Sequence, residues 1–170
     1  MPSQQRHERS QKGLDERLKH GLPRWLPELL GRVPVGRLAS TDGSDTPHLV
    51  PIVFVWHQDA IYAPIDGKPK SGRPLKRLSN ISANPSVALL LDHYAADWSQ
   101  LWWVRIDGQA SILESASEVN SEVFTTLTAK YPQYQTIDPS PTGTLIRITP
   151  THVAQWPSTF TGATDRAGES

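Results

Sequence analysis

The residues best suited to chemistry form a basic segment between positions 66 and 77. This segment holds one acid, Asp66, and five cations, a local net charge of +4: Lys68, Lys70, Arg73, Lys76 and Arg77. A helix is predicted over 74–82, and the N-terminus of a helix attracts anions because its first amides lack partners and its dipole is positive there. The segment therefore predicts a site for one phosphate or a few carboxylates. The alternative interpretation is a solvated basic helix face.

The rest of the chain offers few groups for catalysis. The six histidines are scattered without the spacing of metal ligands, and cysteine is absent, so we expect neither a metal site nor thiol chemistry. No Gly-x-Ser-x-Gly, Walker or Gly-x-Gly-x-x-Gly motif occurs. We therefore predict no catalytic side chain and expect a bound cofactor to carry the reaction.

The overall charge and the apolar runs limit the partners of the protein. Lys plus Arg equals Asp plus Glu at 17 each, which argues against a protein that coats nucleic acid or an anionic membrane. The longest apolar runs, at 50–55 and 87–91, fall short of the roughly 18 residues of a membrane span. No N-terminal stretch resembles a secretory signal. The 170 residues predict one soluble, cytoplasmic domain.

The pattern of apolar and turn residues predicts an α+β fold. Six strands are expected at 33–40, 48–56, 61–64, 86–92, 101–113 and 143–153, and helices at 23–30, 74–82 and 115–131. The strand at 48–56 is nearly all apolar, which predicts burial on both faces, and Gly108 predicts a bulge. These elements favour a six-stranded antiparallel barrel, closed or split, over 14–156, with flexible tails at 1–13 and 157–170.

A pair of tryptophans, Trp102 and Trp103, lies near the start of the predicted strand at 101–113. Successive side chains of a strand point to opposite faces of the sheet, so one ring is expected in the core and the other outside it. We expect the outward ring to meet a second subunit or to stack on a planar ligand.

Several short motifs, taken in their order along the chain, resemble one family. They are Ile-Tyr-Ala-Pro at 61–64, Lys-Pro-Lys at 68–70, Leu-Lys-Arg-Leu-Ser-Asn-Ile at 75–81, Asn-Pro-Ser-Val-Ala-Leu at 84–89 and Asp-His-Tyr at 92–94. The order of strand, basic loop, helix, Asn-Pro and strand resembles the pyridoxamine 5′-phosphate oxidase-like split β-barrel superfamily. Within it, the chain is similar to the branch of probable deazaflavin (coenzyme F-420)-dependent oxidoreductases. The resemblance covers about residues 14–156.

The resemblance implies a homodimer with cofactor sites at the subunit interface. It implies that coenzyme F-420, or alternatively FMN, binds with its phosphate on Lys70, with Lys68, Arg73 and Arg77 as neighbours. Val50, Pro51 and Ile52 would lie along the ring, and Ala63 and Pro64 would offer backbone contacts. Trp103 would help the partner subunit to close the site.

Three hypotheses for function follow from the residues and the resemblance. The first is an oxidoreductase that uses coenzyme F-420 for hydride transfer to a small unsaturated substrate. The second is an FMN-dependent oxidoreductase on the same fold. The third is a non-catalytic protein that binds flavin, deazaflavin or haem, because no catalytic acid or base is evident in the sequence.

Overall fold

The computed structural model describes residues 21–65, 75–114, 118–138 and 143–162. Within these ranges the strands are β1 (Gly36–Thr41), β2 (Pro47–Ile52), β3 (Val55–His57), β4 (Ala60–Pro64), β5 (Ser86–His93), β6 (Trp102–Leu113) and β7 (Leu145–Trp156). The helices are α1 (Leu26–Arg32), α2 (Lys76–Ala83) and α3 (Glu118–Lys130). The strands form one antiparallel sheet in the order β2-β1-β5-β6-β7-β4-β3, which confirms the α+β class. None of the helices in these ranges is long and apolar enough to cross a bilayer.

The described residues form seven strands where six were predicted, because the expected strand at 48–56 is divided. Residues 47–52 pair with β1, whereas Val55–His57 pair with β4 at the other edge of the sheet. The expected burial of this strand on both faces is also wrong, since Leu49 is 64% exposed. The strand that is buried throughout is β4.

The two edges of the sheet are joined by only two residues, Val53 and Phe54. In a flat sheet, six intervals of about 4.8 Å would separate the edge strands by about 29 Å. The Cα atoms of Ile52 and Val55 can be at most about 11 Å apart, because each step along the chain is about 3.8 Å. The sheet must therefore curve strongly. In the described ranges β2 pairs only with β1, so full closure of a barrel stays a prediction.

Two apolar layers hold the curved sheet. The larger lies inside the curve and includes Leu38, Phe54, Leu89 and Ile106. The smaller lies under α3, where Val123 and Leu127 pack on residues of β3, β4 and β7. Because β4 is covered by one layer on each face, all five of its side chains are buried.

Local sequence features produce two predicted irregularities. The register between β6 and β7 shifts at Asp107 and Gly108, which confirms the bulge. A Cβ atom at Gly108 would lie 2.7 Å from the carbonyl oxygen of Thr149, so the close approach of the two strands needs glycine there. The two-residue turn at Gln58 and Asp59 has positive φ angles of 43° and 65°, as expected for a tight hairpin.

The packed part of the chain extends beyond the predicted domain end at 156. Phe160 is buried, and its ring stacks on Trp102 at 5.1 Å and meets Trp25 edge-on at 5.4 Å. Arg32 donates a hydrogen bond to the carbonyl of Gly162. Residues 157–162 therefore close one end of the larger core, while 1–13 and 163–170 lie outside the described residues.

Candidate functional site

The first turn of α2 is electrostatically unusual. It has no acidic residue and no side-chain cap, and it begins with two cations, Lys76 and Arg77. Cations near a helix N-terminus are unfavourable because the dipole is positive there, whereas a bound anion would be stabilised by the same dipole. The residues present thus fit a phosphate. Of the predicted phosphate contacts, Arg77 is half-buried on α2, and Lys68, Lys70 and Arg73 lie outside the described residues.

Lys76 is occupied by a carboxylate of the chain itself. Its Nζ lies 2.8 Å from Oδ2 of Asp42, in the turn between β1 and β2. The Lys76 ammonium, together with the hydroxyl of Ser44 and the amides of Ser44 and Thr46, holds the pKa of Asp42 well below its usual range. The local charge available to an anion is therefore one less than the sequence indicates.

The contact between Lys76 and Asp42 belongs to a larger set of bonds that we call the polar seam. It consists of three side-chain pairs between α2, with the residue that ends it, and the end of β1: Lys76 with Asp42, Asn80 with Ser40, and Asn84 with Thr41. Asn80 and Ser40 are both buried. The seam fixes the helix that carries Arg77 to the strand that pairs with β2.

The predicted ring-binding residues border the point where the chain leaves one edge of the sheet for the other. The ladder between β3 and β4 ends at the pair of Val55 and Tyr62, so Ala63 and Pro64 pair only with β7. On the other side, β2 is an edge strand whose Val50 packs against the larger core and whose Pro51 is exposed. We call the gap between β2 and the end of β4 the split. Ile52 is buried and is the last residue of β2, three residues before Val55.

Two residues at the end of α3, Lys130 and Tyr131, bond through their side chains to main-chain groups around Phe54, where the chain passes between the two edges of the sheet. The hydroxyl of Tyr131 accepts a hydrogen bond from the Phe54 amide at 3.0 Å, and its single proton can go to the carbonyl of Phe54 at 2.8 Å or of Pro34 at 3.0 Å. Nζ of Lys130 donates to the carbonyls of Leu30 and Phe54 at 2.7 and 2.9 Å. We call these contacts the Phe54 lock.

Burial perturbs both titratable groups of the lock. Desolvation lowers the pKa of Lys130 to about 8, although the two carbonyls and the Phe54 ring, 4.1 Å from Nζ, favour its charged form. Desolvation also raises the pKa of Tyr131 to about 12, so its hydroxyl remains protonated at neutral pH. Both groups therefore act here as hydrogen-bond donors.

Sequence reasoning did not single out Asp42, Asn80, Lys130 or Tyr131 for the site. A usable signal existed for part of the seam, because positions 76 and 80 are four residues apart and share a helix face. The lock had no such signal, since its acceptors are main-chain atoms that any sequence would provide.

Trp103 lies apart from the other predicted residues within one subunit. It is 37% exposed, and β6 is three strand intervals from β2, or roughly 14 Å at about 4.8 Å each. It is the cross-strand partner of Trp156, and both rings line a groove of about 580 Å³ that also includes Leu90, Tyr94 and Arg105. Trp102 points inward, so the predicted alternation is confirmed.

The groove lies on the outer face of the sheet, whose other part, at β3, β4 and the start of β7, is covered by α3. This outer face carries Leu49, Trp103 and Trp156, which are 64%, 37% and 47% exposed, and the ion pair of Arg37 with Asp92. Apolar surface of this kind, bordered by charges, is typical of an interaction site.

Comparison with solved structures identifies proteins of the same fold. The haem storage protein HutZ from Vibrio cholerae is 17% identical with a TM-score of 0.59, over 77% of this chain and 90% of that one. A putative pyridoxamine 5′-phosphate oxidase from Listeria innocua is 24% identical with a TM-score of 0.55, over 76% and 93%. An F420 reductase is 21% identical with a TM-score of 0.52, over 75% and 94%.

Comparison of the sequence itself identifies the family. No curated protein matches the sequence. The family model for pyridoxamine 5′-phosphate oxidase matches residues 24–157, which include every described strand and helix. The chain therefore belongs to the pyridoxamine 5′-phosphate oxidase family.

Proposed function

We propose that this protein is an oxidoreductase that uses coenzyme F-420 for hydride transfer to a small unsaturated substrate. The observation that carries the proposal is the basic segment, which leads into an uncapped first turn of α2 without an acidic residue. In a family whose fold is shared with an F420 reductase, this is the place with the best chemistry for a cofactor phosphate.

The phosphate is held by Lys70, with Lys68, Arg73 and Arg77 as neighbouring cations. Because β2 is an edge strand, alternate main-chain groups of 50–52 are directed away from β1 and are available to polar ring atoms. Val50, Pro51 and Ile52 lie along the ring on one side of the split, and Ala63 and Pro64 offer carbonyl or amide contacts on the other, with the exception that proline has no N–H.

The bound deazaflavin supplies the hydride chemistry, and no side chain of the protein needs to act as a catalytic acid or base. The chain orients the ring between the two sides of the split and excludes water with the buried side chain of Ile52. The cations beside α2 favour developing negative charge. A protein that binds and orients the cofactor, and leaves the chemistry to it, agrees with the absence of a catalytic motif from the sequence.

A homodimer completes the site in this proposal. The outer face, with Leu49, Trp103 and Trp156 exposed, is the surface that a second copy would cover. Trp103 then reaches the cofactor of the partner subunit, which accounts for its position far from β2 of its own chain.

Replacing Trp156 by Glu places a charge in this interface, so we expect a monomer in size-exclusion chromatography with light scattering. If the Trp156→Glu variant formed a dimer with the same dissociation constant as the wild type, the proposed dimer surface would be wrong.

A titration of the purified protein with coenzyme F-420 and, separately, FMN tests the cofactor. We expect F-420 to bind at micromolar concentration, with a change in its fluorescence, and to bind more tightly than FMN. Failure to bind F-420 at tens of micromolar would exclude the proposal. Tighter binding of FMN, with absorbance near about 450 nm on purification, would instead establish the flavin enzyme on the same fold.

The fold shared with the haem storage protein HutZ favours one further candidate, a protein that binds haem or flavin without turnover. The distinguishing measurement adds haem to the apoprotein and follows the Soret band. Saturable haem binding without F-420 binding would support this candidate. Reduction of a quinone or enone by the protein with reduced F-420 would exclude it.

A further inference from the structure

The polar seam joins α2, and the residue that ends it, to the end of β1 and the turn after it through three side-chain pairs. Its distances are 2.8 Å from Lys76 to Asp42, 3.1 Å from Asn80 to Ser40 and 3.0 Å from Asn84 to Thr41. Lys76 and Asn80 are four residues apart and lie on one side of the helix, and Asn84 is the extended residue that ends it. A rotation or a shift of the helix along β1 would break the three bonds together.

Apolar packing alone would fix this helix loosely. Within the eight residues of α2, the fully buried side chains are Ile81 and Asn80, and Leu78 is only partly buried. Apolar contacts tolerate sliding because they are non-directional, whereas a buried amide that loses its partner is strongly disfavoured. Asn80, at 0% exposure, bonded to Ser40, at 4%, therefore sets the position of the helix more sharply than its apolar neighbours do.

The strand at the other side of the seam is the neighbour of the proposed ring site. Arg37 and Leu38 of β1 pair with Pro51 and Val50 of β2. A continuous connection thus runs from the first turn of α2, through the seam and β1, to β2. This connection fixes the span between the place proposed for the phosphate and the place proposed for the ring.

We propose that Ser40, Thr41 and Asn80 are positioning residues that fix the first turn of α2 relative to β2. With the helix fixed in this way, the phosphate of the cofactor can reach α2 while the ring lies at β2, so the phosphate contributes to the affinity for the cofactor. None of them contacts the cofactor in this proposal. Their effect acts through the placement of Arg77 and of the first amides of α2. The proposal rests on the proposed function, because it presumes a phosphate at α2 and a ring at β2.

The test uses Ser40→Ala and Thr41→Val, which remove one acceptor each from the seam without a change of charge. The full-length protein is titrated with coenzyme F-420 and with the same deazaflavin chromophore lacking the phosphate tail. Ser79→Ala is the matched control, because Ser79 lies exposed on the same helix, outside the seam. Thermal unfolding of each variant confirms that it is folded, and Thr41→Val serves if Ser40→Ala is too unstable.

In the wild type we expect the phosphorylated ligand to bind at least tenfold more tightly than the phosphate-free one. In either seam variant this preference should fall at least threefold, with the affinity for the phosphate-free ligand unchanged within twofold. An unchanged preference in a folded variant, or an equal loss for both ligands, would overturn the positioning role. A wild type without any preference for the phosphorylated ligand would contradict the proposed function itself.

Discussion

Helices α2 and α3 are both attached to the sheet by polar contacts beside the split, but in different ways. The polar seam of α2 joins side chain to side chain, with two partners on β1 and one in the turn that follows it. The Phe54 lock of α3 joins two side chains to main-chain atoms of Leu30, Pro34 and Phe54. The seam therefore fixes the position of one element against another, whereas the lock satisfies backbone groups at the point where β2 ends.

The two helices also differ in how much apolar surface they bury. Helix α3 buries Val123 and Leu127 completely in its own cluster, so the lock adds to an established interface. Helix α2 has only two buried residues, Asn80 and Ile81, and Asn80 belongs to the seam. We infer that loss of the lock is felt mainly in stability, and loss of the seam mainly in the geometry of the proposed site.

The largest loss of stability is expected for Tyr131→Phe. The substitution keeps the buried ring but leaves the Phe54 amide without its partner, which costs about 1–3 kcal/mol for an unsatisfied buried group. Urea denaturation measures the difference. Ser79→Ala is the control, because Ser79 is exposed on α2 outside the lock and its change should stay within about 0.5 kcal/mol. If the two variants had equal free energies of unfolding, the lock would not contribute to stability.

A smaller loss, in the lower part of the range of about 1–3 kcal/mol, is expected for Ser40→Ala, which leaves the buried Nδ2 of Asn80 without its acceptor. The same denaturation experiment applies, with Ser79→Ala as the control. A larger loss of unfolding free energy than in Tyr131→Phe would show that the seam contributes more to stability than the lock, contrary to the comparison above.

The lock also predicts how stability changes with pH. The pKa of Lys130 is lowered from 10.5 to about 8, so between these values the unfolded chain binds more protons and the free energy of unfolding rises with pH. Above pH 10 the raised pKa of Tyr131, about 12, has the opposite effect, because the folded state then holds the extra proton. Lys130→Met should lose the rise between pH 8 and 10. A rise of equal size in the variant would assign it to another group.

The smallest effect is expected at the exposed end of the seam, for Asp42→Asn. The lowered pKa of Asp42 stabilises the folded state above its ordinary value of 3.8, and this stabilisation is lost as the pH falls towards the folded value. The midpoint of thermal unfolding should therefore drop slightly at pH 6 and low salt, and the difference should vanish in 1 M salt or at strongly acidic pH. Asp45→Asn, in the same turn, should show neither change.

The features that were predicted correctly depend on neighbours within a few residues. The bulge at Gly108, the turn at Gln58 and Asp59 and the opposite directions of Trp102 and Trp103 follow from backbone freedom and strand alternation. The charge concentrated in 66–77 is likewise a property of the sequence alone. It led to the hypothesis of one anion-binding segment and to the family pattern around it.

The features that only the tertiary structure decided depend on partners far along the chain. The apolar run at 48–56 is one strand by composition, but its two halves pair with β1 and with β4, so it divides at Val53 and Phe54. Lys76, one of the five cations in the sequence, is neutralised by Asp42, which lies 34 positions earlier. Local propensity cannot choose between such partners because the choice depends on how the whole sheet curves. Sequence therefore determined where positive charge is concentrated, and the fold determined that Lys76 is paired with Asp42.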